Sequence, residues 1–283
     1  MAAASVATIN LYGDETITAG INISNKNITV TGKDGVHTIK RSTQGEIFTV
    51  GDNGDFTLSN NVTLDGSGVS SNTWALVVVN GNSAVFTMEA GSKITGNNNT
   101  TTNGNRQGGG VLVSNVTAQF NMKGGEISNN VAKIVGGGVY TYPGIFNMSG
   151  GTVKNNSNID FTFGEDVCLS ILFQTPQVNT ISGNAQVGNL SIFESAGNRS
   201  WVKVEGEFTG SVDNLDLCSD GYYGNYWRNM LVIETNTKTV LNKFPLRNFA
   251  DQYGNAAPIT GYHLYGTVDG ENTQADFGKL VAD

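Results

Sequence analysis

A short segment, Phe-x-Met (once Phe-x-Leu) followed by a small-residue turn and then Ile, Val or Leu, recurs along this chain and constrains its fold more than any other feature. It reads Phe56-Thr-Leu-Ser-Asn-Asn-Val-Thr-Leu64, Phe86-Thr-Met-Glu-Ala-Gly-Ser-Lys-Ile94, Phe120-Asn-Met-Lys-Gly-Gly-Glu-Ile127 and Phe146-Asn-Met-Ser-Gly-Gly-Thr-Val153. The last three run into the pairs Asn97-Asn98, Asn129-Asn130 and Asn155-Asn156. Ahead of each Phe lies a further apolar strand, centred on Ile47, Val77, Val111 and Val139, and triple glycines at 108–110 and 136–138 introduce two of them. The Phe-to-Phe spacings are 30, 34 and 26 residues, so the unit repeats with unequal length.

Phe and Met two residues apart share one face of a strand, while Thr87, Asn121 and Asn147 between them face the other way. Three short strands per unit, joined by Gly and Asn turns that tolerate positive φ, predict the coil of a parallel β-helix, each strand pairing with its equivalent one coil away. Phe56, Phe86, Phe120 and Phe146 should then stack inside as one column, with Leu58, Met88, Met122 and Met148 beside it. Asn at repeated turns should bond along the axis in the same way. Helical repeats would place apolar residues at i, i+3, i+4 and i+7, which the dense Gly and Asn content opposes. A β-propeller would have a period of about 40–50 residues. Less regular strands continue on both sides, from Ile9 to Ile39 and from Val167 to Val212, with Met230–Ile233, Phe244, Tyr262–Tyr265 and Phe277 as last coils or a cap. The expectation is an all-β, single-stranded right-handed parallel β-helix of about ten coils with capped ends. It is read as a single domain spanning 1–283, with an N-terminal cap and first coils in 1–45, regular repeats in 46–157, and irregular coils with a C-terminal cap in 158–283.

Composition agrees with this and narrows the partners. The chain has 37 glycines and 4 prolines in 283 residues, with 14% charged and 38% hydrophobic residues. That excludes disorder, which needs high charge and few apolar residues, and collagen, which needs a three-residue glycine period. No apolar run approaches the ~18 residues of a membrane helix. A net charge of −8, without a basic run, argues against nucleic acid and anionic membrane as partners, because phosphate affinity comes from clustered Lys and Arg. The two cysteines, Cys168 and Cys218, lie about two coils apart, beyond disulfide reach, and are expected as free, buried thiols. The start, Met1-Ala2-Ala3-Ala4-Ser5, lacks the basic and apolar regions of a signal peptide. The chain is therefore expected to be cytoplasmic or to have lost its export signal, the second being favoured.

The run Gly136-Gly-Gly-Val-Tyr-Thr141 followed by Phe146-Asn-Met-Ser-Gly-Gly-Thr-Val-Lys-Asn-Asn156 resembles bacterial surface proteins with right-handed parallel β-helix repeats of the pectate-lyase-like fold. The resemblance covers roughly residues 45 to 195. Polymorphic outer-membrane relatives carry Gly-Gly-Ala-Ile and Phe-x-x-Asn where this chain has Gly-Gly-Gly-Val and Phe-Asn-Met. What the resemblance implies is an exported, extracellular or cell-surface protein, adhesin-like, whose partner is a glycan or a host or bacterial surface protein.

Enzymes of that fold mostly cleave polysaccharides, and glycoside hydrolysis needs two positioned carboxylates. The polygalacturonase-type motifs Asn-Thr-Asp, Asp-Asp, Gly-His-Gly and Arg-Ile-Lys do not occur here. The densest carboxylate groups are Asp52/Asp55, Glu165/Asp166 and Asp213/Asp216/Asp220, each read more simply as loop solvation than as catalysis. No catalytic residue and no cofactor is assigned, and structural calcium at Asp and Asn turns is the one ion considered. His37 and His263 are far apart and form no zinc pair. One segment breaks the repeat, Ser219-Asp-Gly-Tyr-Tyr-Gly-Asn-Tyr-Trp-Arg-Asn229. Tyr222, Tyr223, Tyr226, Trp227 and Arg228 are the candidate ligand contacts, because aromatic faces stack on sugar rings while amides and guanidinium bond hydroxyls. The competing reading is that these rings shield the core. Loops 95–108 and 218–229 are the expected recognition elements. The function anticipated is non-catalytic binding, with a polysaccharide lyase or glycoside hydrolase having a non-standard site as the alternative.

Overall fold

Left-handed backbone at Asn53, Asn61, Asn129 and Asn155 and at Gly91, Gly125 and Gly151 closes the corners of successive coils, so the Gly and Asn residues sit where the chain must turn without a hairpin. The computed structural model describes residues 5–170, 176–195, 198–219, 227–267 and 277–283. It is an all-β, right-handed parallel solenoid of about eight coils. Each regular coil has three strands. The first-face strands include Lys26–Gly32, Asp55–Leu58, Val85–Met88, Gln119–Met122 and Ile145–Met148. The second-face strands include His37–Arg41, Val62–Asp65, Lys93–Thr95, Glu126–Ser128 and Thr152–Val153. The third-face strands include Phe48–Val50, Val77–Val79, Val111–Val113, Val139–Thr141 and Val167–Leu169. All of these pair in parallel with their equivalents above and below.

The predicted column forms in register. Phe56, Phe86, Phe120 and Phe146 are direct neighbours along the first face, as are Leu58, Met88, Met122 and Met148. The rings stack at centroid distances of 5.3, 4.9 and 5.1 Å, and Phe48 from the third face packs on Phe56 at 4.4 Å. The column stops after Phe146 because the next rung is the buried Asn179, whose Oδ1 accepts the Phe146 N–H at 2.8 Å. A cavity of about 20 Å³ lies there, beside Phe146, Met148 and Asn179. It is the size of one water.

A second ladder is polar. Asn72 Nδ2 donates to Asn97 Oδ1 at 2.9 Å, and the Asn97 N–H donates to Asn130 Oδ1 at 3.1 Å. Asn130 donates through N and Nδ2 to Asn156 Oδ1, and Asn156 donates in turn to Asp166 Oδ1. Each side chain is almost completely buried, so the ladder satisfies turn backbone that water cannot reach.

Eight coils replace the expected ten because the chain beyond residue 227 mixes coil with cap: Ile233–Glu234 and Leu246–Asp251 still pair in parallel with the coil before, while the segments between and after them fold over the end. Helix Lys238–Leu241, the antiparallel pair Leu246–Asp251 with Ala256–Pro258, and the pair Tyr262–Leu264 with Leu280–Ala282 make this cap. Leu241, Phe244, Leu264 and Leu280 are its buried contacts. The last coils are also shorter: Gln186–Ser195 and Ser211–Ser219 run through the second and third faces as single bent strands. At about 4.8 Å per coil the solenoid is about 40 Å long.

Cys168 and Cys218 are free and buried, as expected. Burial pushes both thiols above their ordinary range, and the nearby Asp216 carboxylate adds to the effect. A thiol reagent at pH 8 is therefore expected to modify neither cysteine in the folded protein and both in denaturant. Rapid native labelling at either position would show that the third face opens.

Candidate functional site

In the third-face strands Val77–Val79, Val111–Val113, Val139–Thr141 and Val167–Leu169 the middle residue points out of the coil, yet Val78, Leu112, Tyr140 and Cys168 are buried, as is Cys218 on a later coil. Residues from the neighbouring loops cover them. With Ala75, Val135, Phe163 and Ala250 they form a second apolar cluster, flanked by the half-buried Trp74, Ile134, Tyr142, Phe161 and Phe193. Loop 95–108 is part of this cover. Asn99 Nδ2 donates to the carbonyls of Arg106 and Gly108 at 2.7 and 2.8 Å, and Gln107 accepts the Ile134 N–H at 3.0 Å. The Arg106 guanidinium lies over the Trp74 ring, 4.2 Å from its centroid, a favourable cation–π contact.

Of the other candidate segment, residues 220–226, including Tyr222, Tyr223 and Tyr226, lie outside the described residues. Trp227 is buried at 1% exposure in the main core, and Arg228 is exposed. The Trp227 ring is thus placed as core cover, which is the competing reading of that segment.

The acidic groups separate clearly. Asp52 Oδ1 accepts the Asn82 N–H at 2.7 Å, Asp55 accepts from Asn27, and Asp213 pairs with Lys154 at 2.8 Å. Asp166 ends the asparagine ladder and also accepts the Asn189 N–H, and burial raises its carboxyl above the ordinary range. Asp220 lies outside the described residues. Glu165 and Asp216, distant in sequence, converge on one side chain. Arg247 donates from Nε to Asp216 Oδ1 at 2.8 Å and from Nη2 to Glu165 Oε2 at 3.0 Å and to Asp216 Oδ2. Asp216 is fully buried, and burial holds its carboxyl above the ordinary range despite Arg247. Ser191, its register neighbour, donates to it at 3.3 Å. Nothing in sequence spacing marks this cluster, since Arg247 is 82 residues from Glu165. Its chemistry is that of a buried ion triad tying the loop before Val167 to the last coils. Among the described residues no group of three or more His, Cys, Asp or Glu side chains is placed to hold a metal ion.

A concave feature lies on the second face. A groove of about 570 Å³ crosses successive coils. One wall is a register ladder of outward side chains, Thr63, Lys93, Glu126 and Thr152, with Lys93 and Glu126 paired at 3.0 Å. Its floor is made by the glycine turns that follow each Phe-x-Met, Gly91, Gly124, Gly125 and Gly151, with Lys123 and Asn184 beside them. Gly125 and Gly151 have φ of +85° and +88°, and a Cβ at Gly151 would come within 2.7 Å of the Gly124 backbone. Stacked turns this close exclude side chains, so backbone and a row of polar groups remain accessible along the axis. The glycine pairs were legible as turns; that they floor a groove was not.

Comparison with protein-family models, with curated proteins and with solved structures finds no match to this chain.

Proposed function

We propose that this chain is a non-catalytic binding protein of bacterial adhesin type, cell-surface or secreted, that holds an extended glycan along the second-face groove. The observation carrying this reading is the groove's repetition. Each Phe-x-Met coil presents a glycine turn and an outward polar side chain at about 4.8 Å intervals, and a polymer of repeating hydroxylated units can meet such a surface in the same way at each step. Thr63 and Thr152 hydroxyls, the Asn184 amide and the exposed Lys123 ammonium supply donors and acceptors suited to sugar hydroxyls. Tyr222, Tyr223, Tyr226 and Arg228 are a further proposed contact, with calcium at Asp and Asn turns as the proposed structural ion.

The test is affinity electrophoresis and array binding against neutral and acidic polysaccharides, with calcium and again with chelator. Lys123→Glu and Asn184→Ala are each expected to weaken retention about tenfold, or ~1.4 kcal/mol, while leaving the unfolding midpoint within error. Retention unchanged in both variants would remove the groove from the account, and silence across all glycans would leave a protein ligand as the partner.

Among the described residues, the convergence of Glu165 and Asp216 is the feature favouring a lyase or hydrolase of the same fold. Against it, Asp216 is fully buried and both carboxylates are held by Arg247. Release of new reducing ends that disappears in Asp216→Asn would support the enzyme reading.

A further inference from the structure

The two ends of the solenoid differ. The C-terminal end carries the cap described above, whereas the first coil, strands Ser5–Leu11, Glu15–Ile17 and Ile21–Ile23, pairs on one side only among the described residues. A free sheet edge is normally guarded by Lys, Pro, a bulge or a covering segment. Strand Ser5–Leu11, Ser-Val-Ala-Thr-Ile-Asn-Leu, contains no charge and no proline. Among the described residues the core is open here as well. A pocket of about 310 Å³, lined by Ile9, Leu11, Ile17 and Ile28 with Glu15 and Lys26 among its walls, faces out of this end. Val6 and Tyr12 are 77% and 72% exposed nearby.

We infer that this end is an interface between two copies of the chain, packed head to head about a two-fold axis. The cap blocks the opposite end, so an edge-to-edge contact cannot run head to tail into a fibre and must close as an isologous pair. A two-fold axis through Thr8 sets the two Ser5–Leu11 strands antiparallel, with Ala7 opposite Ile9 of the other copy and Ser5 opposite Leu11. Ala7 and Ile9 are register partners of the core residues Ile28 and Val30, so inward residues meet inward residues and the two open cores become one. The charges match under the same operation. Lys26 lies beside Ser5 in register, at the start of the first face, and Glu15 lies just past its end. The axis carries one corner onto the other, bringing Lys26 of each copy toward Glu15 of its mate.

Sedimentation equilibrium of the full chain at micromolar concentration is expected to give twice the 29.9 kDa chain mass, with scattering that shows a rod about twice as long. Ile9→Lys, at a position already 47% exposed in the single chain, should weaken association at least 100-fold with the β-sheet circular dichroism retained. Glu15→Lys should weaken it about tenfold, and adding Lys26→Glu should restore it, which keeps the test decisive if Ile9→Lys folds poorly. A chain that stays monomeric at all concentrations overturns the inference and leaves the open core to another occupant, such as an apolar small molecule. A dimer indifferent to Ile9→Lys and to the charge exchange overturns it equally, by placing the contact elsewhere.

Discussion

Phe120→Ala is expected to destabilise the protein by about 3–5 kcal/mol. The ring is fully buried and stacks between two others, at 4.9 Å to Phe86 and 5.1 Å to Phe146. Its removal opens a cavity in the middle of a column whose neighbours are tied to their own coils by parallel pairing and cannot collapse inward. Offset aromatic pairs add roughly 0.5–1.5 kcal/mol each beyond area burial, so the loss should lie toward the upper part of the range. Urea unfolding measures it, with Val116→Ala at an exposed position as a control that changes stability by less than about 0.5 kcal/mol. A loss below about 1 kcal/mol for Phe120→Ala would mean that the column is not a packed core.

Arg247→Ala is expected to cost about 3–5 kcal/mol at neutral pH, the usual result of stranding a buried charge by removing its partner. Asp216 is the group stranded, and its environment fixes the pH dependence. Burial already lifts its carboxyl above the ordinary range. The folded state therefore holds this proton more tightly than the unfolded chain, and ionising Asp216 costs stability as pH rises from about 3.9 through its raised value. Removing Arg247 lifts the carboxyl further and widens that window upward. The penalty of Arg247→Ala should then be largest at pH 7 and shrink as pH falls toward the carboxylate range, where a neutral Asp216 no longer needs the cation. Glu165, 17% exposed, keeps some solvent and should matter less. Arg247→Met with Asp216→Leu should recover most of the loss, because replacing both ions by apolar groups is often neutral or better. A penalty independent of pH would show that Arg247 acts through packing alone.

The sequence made the interior of the repeat legible because both ladders are written at fixed offsets. Phe and Met two apart with Gly after them specify an inward pair and a turn, and recurring Asn at the next corner specifies the polar ladder. Asn179 ends that pattern, and with it the sequence signal, because the rung after Phe146 is an amide rather than a ring. The covered third face was less legible, although Val77-Val-Val79, Val111-Leu-Val113 and Val167-Cys-Leu169 are unbroken apolar runs. Such runs mark strands buried on both sides, and so point to loops lying across them. The coil count was overestimated because apolar segments of the cap, such as Phe244 and Tyr262–Tyr265, read in sequence like further coils. The Arg247 triad and the second-face groove were not legible at all. Each depends on which residues the coils bring together across tens of positions, and unequal loop lengths hide that from spacing.

Stacking of equivalent residues at constant rise underlies the groove, the ladders and the open end alike, and spin-label distances along the first face test it most directly. Thr29, Thr57, Thr87, Asn121, Asn147, Thr180 and Lys203 are successive register partners on that face. The two native cysteines, being buried, should not interfere with labels introduced at these positions. Paired labels at Thr29 with Asn147, with Thr180 and with Lys203 should give distances of about 19, 24 and 29 Å, rising by ~4.8 Å per coil. Distances that stay constant or fall as the coils separate would contradict a solenoid, and with it every feature built on its register.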